Sequence, residues 1–378
     1  MKPLLLLALT TTLAFSQGPL LPSAVPAPSM KTLDQIEART AIPKSPTTPI
    51  AGPHFTISQP GSYYLTGNIE VASGNGINIT TSNVTLDLNG FSLISKTASP
   101  AAGNAIDLAA SLNNVQMKNG SITGGTVRTS SGPQLWQATF VKKGWEFGIR
   151  DDSSTPAQGV LLSHLTIEKC GDSGIFLRGS SAMEHLTATA NGGNGIFAFQ
   201  SAITQTTASL NGYVGIVDYQ GSVCNSTANA NYYTGIDASN STVNSVTSNQ
   251  NGSTGIYASY GPITHASSNN NGGDGIYTYQ GSVTHSTAVS NGGNGITAYL
   301  GSVAEVIASY NNAAGISAVG GTVSHCRATL NSTNGIFVGI GVVDHCVAAS
   351  NSTSLTTVDK EIDVSASGQR DACVPASE

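Results

Sequence analysis

The sequence predicts an all-β solenoid, a parallel β-helix of about 20-residue coils, and three observations carry that prediction. First, Asn191, Asn211, Asn231, Asn251, Asn271, Asn291, Asn311, Asn331 and Asn351 recur every 20 residues. Second, Gly-Ile stands four positions after each of the first eight, from Gly195-Ile196 to Gly335-Ile336, and Gly174-Ile175 opens the series one residue out of phase. Third, the unit N-G-x-x-G-I-x-A-x-x-G-S-V-x-x-x-x-A-x-x alternates apolar and polar positions in short segments cut by glycines. That is strand periodicity, and the segments are too short for a helical pattern.

A strand of one unit can pair only with its equivalent in the next, about 4.8 Å away, so like stacks on like. Ile at the sixth position, Ala at the eighth, Val at the thirteenth and Ala at the eighteenth then fill the bore. One coil cannot bury that face alone, so many are needed and the ends must be capped. The Asn column suits a bend where the backbone visits the left-handed region, and its amides can hydrogen-bond along the axis.

Upstream, Gly76-Ile77, Ala105-Ile106 and Gly148-Ile149 read as the same corner as Gly174-Ile175, separated by longer insertions. The segments Asn83–Gly90 and Asn114–Gly120 read as equivalent strands of two early coils. At the start, Lys2, the apolar run Leu4–Leu13 and Ala14-Phe15-Ser16 have the form of a secretory signal with cleavage before Gln17. The expected organisation is a signal at 1–16, a Pro-rich arm at 17–53, the β-helix at 54–358 and a tail at 359–378. Within the arm, Ser29 could cap a short helix through Leu33 and Ile36.

The strings Ile57–Gly67 (ISQPGSYYLTG), Val84–Gly90 (VTLDLNG) and the Asn-Gly-Gly-Asn-Gly-Ile coils resemble bacterial secreted right-handed β-helix repeat proteins of pectin-lyase-like architecture. The resemblance covers roughly residues 30 to 360. It implies a right-handed helix; the family includes polysaccharide lyases and hydrolases, periplasmic copper-site accessory proteins and members without known activity. Fold alone does not select among these.

Composition narrows the partners. The net charge is −6 and only 10% of residues are charged. No Lys or Arg occurs between Arg178 and Arg327. That section cannot neutralise phosphates, so nucleic acid is excluded as a partner. No segment after the signal is apolar enough to span a membrane. Five cysteines without metal-type spacing exclude a complete disulfide framework, and Cys326 and Cys346 read as stacked core thiols.

Three groups of residues could carry chemistry. The residue after each Ile points outward, giving Phe176, Phe197, Tyr257, Tyr277 and Phe337, and two positions on stand Phe199, Tyr219, Tyr279 and Tyr299. Exposed rings on a polar sheet suit sugar stacking or a cell-surface partner. The irregular stretch from Arg128 to Arg178 holds Trp136, Trp145 and a concentration of charge, and insertions in repeat arrays often map to the binding face. From it Trp145 joins the ligand-binding candidates. Arg150, Arg178 and Asp152, with Asp107 in the same outward column as Arg150, are the candidates for a lyase base and its charge-neutralising groups. Finally, six of seven histidines fall at one repeat position, among them His265, His285, His325 and His345. Adjacent coils would bring them close enough to share a metal, but a bend that His tolerates explains the column more simply, and neither a metal nor another cofactor is implied. Asp218 and Asp237 are the remaining acids of interest, with opposite pleat directions that argue against a glycosidase-type pair. The expected function is a secreted, non-catalytic β-helix binding polysaccharide or a surface partner, with a lyase or hydrolase, or a metal-binding periplasmic protein, as alternatives.

Overall fold

The computed structural model describes residues 39–98, 100–151 and 154–351, and beyond these the backbone of the strands Ile362–Val364, Gln369–Asp371 and Val374–Pro375. The expected signal segment and short helix lie outside the described residues. Each coil contributes three short strands, illustrated by Ile196–Phe199, Ala202–Thr204 and Thr207–Ser209. They build three walls. The first wall, started by each Gly-Ile, is a 14-stranded sheet. The second and third walls merge into a single 28-stranded sheet because Asn113–Thr123 and Gln158–Glu168 run unbroken through both.

Pairing between coils is parallel and in register, as Ile196↔Ile216↔Ile236↔Ile256 shows. The irregular early coils keep that register. Ile77 pairs with Ile106, Ile106 with Ile149, and Ile149 with Ile175. Val84 and Leu86 pair with Val115 and Met117, so the two early strand segments are equivalent. The solenoid starts earlier than the expected arm boundary, because Thr40–Ile42 pairs with Tyr63–Leu65 and Ile50–Ala51 with Val71 and Ser73. It also runs into the expected tail, where Ile362–Val364 pairs with Ile336–Val338. Backbone groups at both ends thereby find ladder partners within neighbouring coils.

The corners explain how 20 residues close a coil. In the regular coils most carry one residue in the left-handed region: Gln200, Gln205 and Leu210 in one coil, Gln220, Asn225 and Ala230 in the next. The asparagine column was expected to occupy such a bend. Instead the left-handed residue is the one before it, at Ala190, Leu210, Ala230 and onward to Ser350. The asparagines turn inward and are almost entirely buried. Asn231 Oδ1 accepts the Asn211 backbone N–H at 3.1 Å and the Asn211 Nδ2 at 2.9 Å. Asn231 Nδ2 donates in turn to Asn251 Oδ1 and to the Ala208 carbonyl. The ladder continues to Asn331 and Asn351.

The bore is filled by Ile196, Ala198, Ile203 and Ala208 and their equivalents, all buried. Polar residues interrupt two columns. Ser248 and Ser268 replace alanine and donate to the Gly255 and Gly275 carbonyls at 2.7 and 2.6 Å. Asp218 and Thr278 replace alanine in the other column, and each has a side-chain oxygen with no partner among the described residues. Asp218 is fully buried, and that burial pushes its carboxyl up to about 6, partly opposed by hydrogen bonds from Ser241 and the Ser201 amide. Cys326 and Cys346 stack as free thiols in the core.

Three expectations follow. Asn251→Ala strips the acceptor from two buried donors of Asn231. At roughly 1 to 3 kcal/mol for each unsatisfied group it should lower stability by about 2 kcal/mol or more, read as a fall in the urea midpoint. Leu330 is exposed yet held at φ 58°. Leu330→Asn should raise stability by about 1 kcal/mol in the same assay, since asparagine tolerates that backbone better. Asp218 has its folded pKa raised above the unfolded value, so its contribution is full at acidic pH and is lost as pH rises through about 6. Asp218→Asn should therefore raise the melting temperature at pH 7.5 by more than at pH 4.5; an equal change at both would contradict a buried titrating carboxyl.

Candidate functional site

The outward side of the first wall carries two lanes of side chains, produced by the period of two along each strand. In the lane following each Ile, ladder register places Asp107, Arg150, Phe176, Phe197, Val217, Asp237, Tyr257, Tyr277 and Thr297 one above another. In the lane two positions on stand Phe199, Tyr219, Ser239, Ser259, Tyr279, Tyr299 and Val319. The rings meet as stacks. Phe176 and Phe197 lie 4.8 Å apart at 6°, Tyr257 and Tyr277 5.3 Å apart at 11°, and Tyr279 and Tyr299 5.5 Å apart at 8°. Phe197 further meets Tyr219 edge-on at 6.0 Å.

That geometry decides what the rings can offer. Within a stack the ring faces cover each other, so edges and phenol hydroxyls remain for a ligand. Free faces occur where the repeat breaks. The second lane breaks at Ser239 and Ser259, leaving Tyr219 and Tyr279 three coils apart, about 14 Å at the usual strand spacing. Asp237 stands beside this break. Burial among its neighbours pushes its carboxyl up to about 6, and Oδ1 has no hydrogen-bond partner among the described residues. Tyr219 and Tyr257 flank it, and their hydroxyls are shifted upward first by burial and then by the Asp237 charge.

A groove of about 530 Å³ runs alongside the second lane at the corner between the first and second walls. Gly261, Gly281, Gly301 and Gly321 form its floor, and Tyr260 and Leu300 rise from it. Glycine is required here by the close approach of coils: a Cβ on Gly321 would sit 1.8 Å from the Gly301 carbonyl oxygen. Tyr260 is 56% exposed and meets Tyr279 edge-on at 5.4 Å, while Tyr299 is 43% exposed. The groove and the aromatic lane are thus one continuous surface.

Of the charged candidates, Asp107 and Arg150 share the first lane with Phe176, as expected. Asp107 Oδ1 accepts from Asn104 Nδ2 at 2.6 Å, and the Arg150 guanidinium lies 4.7 Å over the Phe147 ring. Arg178 is exposed just past Leu177, and Asp152 lies outside the described residues. Trp145 corrects the reading of that stretch. It is completely buried and its indole N–H donates to the Gly74 carbonyl at 3.0 Å, so it is core and cannot touch a ligand. A large ring in an insertion offered no periodicity from which burial could be read. The tryptophan that reaches the surface is the half-buried Trp136, on the turn of the antiparallel hairpin Val127–Ser130 and Ala138–Val141, which the sequence reading did not place among the ligand-binding candidates.

The histidine column occupies the bend between the second and third walls, with φ near 50° at His265, His285, His325 and His345. Rings pair as stacks, 5.0 Å apart for His265–His285 and 5.1 Å for His325–His345. His285 Nε2 contacts Glu305 at 2.7 Å and His345 Nδ1 contacts Asp344. Among the described residues no three His, Cys, Asp or Glu side chains gather closely enough to hold a metal. Asp218 faces the bore while Asp237 faces outward, so the two do not converge.

Residues 147–312 match the family described as "Right handed beta helix region". No curated protein matches the chain at a significant level. Among solved structures, the A-module of the Azotobacter vinelandii mannuronan C-5 epimerase AlgE4 is similar at 14% identity, with 84% of this chain and 91% of that one covered and a TM-score of 0.56. The periplasmic alginate epimerase AlgG is similar at 11% identity, with 82% and 78% covered and a TM-score of 0.51. No described helix is long and apolar enough to cross a membrane. Identities this low bear on fold alone, and with the coil register and the family match over residues 147–312 they establish that the chain folds as a right-handed parallel β-helix.

Proposed function

We propose that the protein is an exported carbohydrate-binding β-helix whose glycan lies along the first wall, in the groove beside Tyr260, Tyr279 and Tyr299. The observation that carries this reading is the continuity of the second ring lane with a shallow glycine-floored groove. Phenol edges and hydroxyls line its side, and ring faces open at the break beside Asp237, which suits alternating hydroxyl and C–H surfaces of a sugar chain. The similar structures named as epimerases of mannuronan and alginate act on polysaccharide, which supports the ligand class. Export rests on the signal-like start.

A second reading is favoured by one specific arrangement. Asp107, Arg150 and the nearby Arg178 place acid and base at one end of the same face, as a polyuronate lyase would require. The two readings separate in one assay. Purified protein is incubated with neutral and acidic polysaccharides, following co-sedimentation and new chain ends. Retention without cleavage is expected, weakened about tenfold or more in Tyr279→Ala/Tyr299→Ala, the loss of roughly 1.4 kcal/mol for a tenfold change being modest for two aromatic anchors. Cleavage abolished by Arg150→Ala/Arg178→Ala would establish the second reading instead, and the absence of both retention and cleavage would overturn the proposal.

A further inference from the structure

The hairpin Val127–Ser130 and Ala138–Val141 lies along a different corner, between the third and first walls. It docks ring by ring onto the asparagine-glycine steps. Phe140 sits over Gly212, where a Cβ would be 3.1 Å from its Cε2. Trp136 sits over Gly252, where a Cβ would be 2.9 Å from its Cε3, and meets Tyr232 edge-on at 6.4 Å. The Arg128 guanidinium donates to the Leu135 carbonyl across the hairpin and braces the tip that carries Trp136. Past the tip, the steps at Gly272 and Gly292 are exposed among the described residues. Beyond them Tyr310 rises, 60% exposed, beside Asn312.

The result is a cleft of about 360 Å³ with Trp136 at one end and Tyr310 at the other. Its floor is glycine backbone, and Gln134, Asn270, Ser290 and Asn312 supply amides and hydroxyls. Among the described residues no charged side chain lines it. From the coil of Gly252 to that of Asn312 is three strand spacings, about 14 Å, of which the rings take part. We propose that this cleft is a second binding site, separate from the first-wall groove, for one or two residues of an uncharged sugar chain clasped between Trp136 and Tyr310. Two aromatic walls recognise C–H faces, and amides match hydroxyls in both donor and acceptor roles. A uronate would bring a carboxylate to a site offering no cation, on a chain of net charge −6.

The two tryptophans make the site directly readable. Trp145 is sealed in the core, so ligand-dependent changes in indole emission report Trp136. The full chain is titrated with neutral hexasaccharides of glucose, mannose, xylose and N-acetylglucosamine, and with hexauronates of mannuronic and galacturonic acid. A saturable emission change is expected with at least one neutral hexasaccharide and none with the hexauronates. It should weaken at least tenfold in Tyr310→Ala and in Tyr310→Asn, and persist in Tyr279→Ala/Tyr299→Ala. Asparagine suits the left-handed backbone at 310, so that variant guards against a folding defect. No change with any neutral hexasaccharide, a change that survives both Tyr310 variants, or an equal response to hexauronates would overturn the proposal.

Discussion

The asparagine ladder is the constraint on which the rest of the molecule depends. Each buried amide accepts from the backbone and side chain of the preceding coil and donates to the next, so register is enforced at every turn. A slip of one residue would orphan several buried donors at once, a penalty of several kcal/mol by the usual cost of unsatisfied groups. The same closeness dictates the glycine of Gly-Ile. A Cβ on Gly215 would lie 2.6 Å from Asn231 Nδ2 and 2.6 Å from the Gly235 carbonyl oxygen. Asparagine and glycine therefore repeat together because they are two sides of one contact.

That pairing also explains which features were legible in the sequence. The ladder and the bore columns repeat because side chains there have fixed partners, so the coil length, inward positions and lane membership could be read directly. The left-handed corners could not be located in the same way. Ala190, Leu210, Gln250, Ser290 and Tyr310 occupy one such corner, a set with no common chemistry, because the corner needs only a backbone conformation. The conspicuous asparagines next door drew the assignment one residue too far. Trp145 and Trp136 lie in an insertion without period, where nothing in the pattern distinguishes a core ring from a half-buried surface one.

Perfect repetition is poor material for recognition. Like-on-like stacking turns rings toward each other, as at Tyr257–Tyr277, and pairs the histidines of a bend with one another. A ligand can reach ring faces only where the repeat fails. On the first wall that happens at Asp237, Ser239 and Ser259, and at the third corner where the hairpin ends and Tyr310 begins. The departures from the consensus thus give the surface its distinct features, while the consensus carries the fold.

The bore is subject to the same logic with the opposite sign. Ser248 and Ser268 are harmless departures, because neighbouring glycine carbonyls and ladder amides satisfy their hydroxyls. Asp218 and Thr278 are costly ones, each with an oxygen unpartnered among the described residues and each aimed at a glycine, Gly221 or Gly281, of the groove corner. A Cβ on Gly221 would stand 2.4 Å from Asp218 Oδ2, and one on Gly281 2.5 Å from Thr278 Oγ1. The glycine floor that makes the groove shallow is also what admits these polar groups into the bore behind it. Stability at that corner and the shape of the surface outside it are therefore set by the same residues, and neither can be altered without the other.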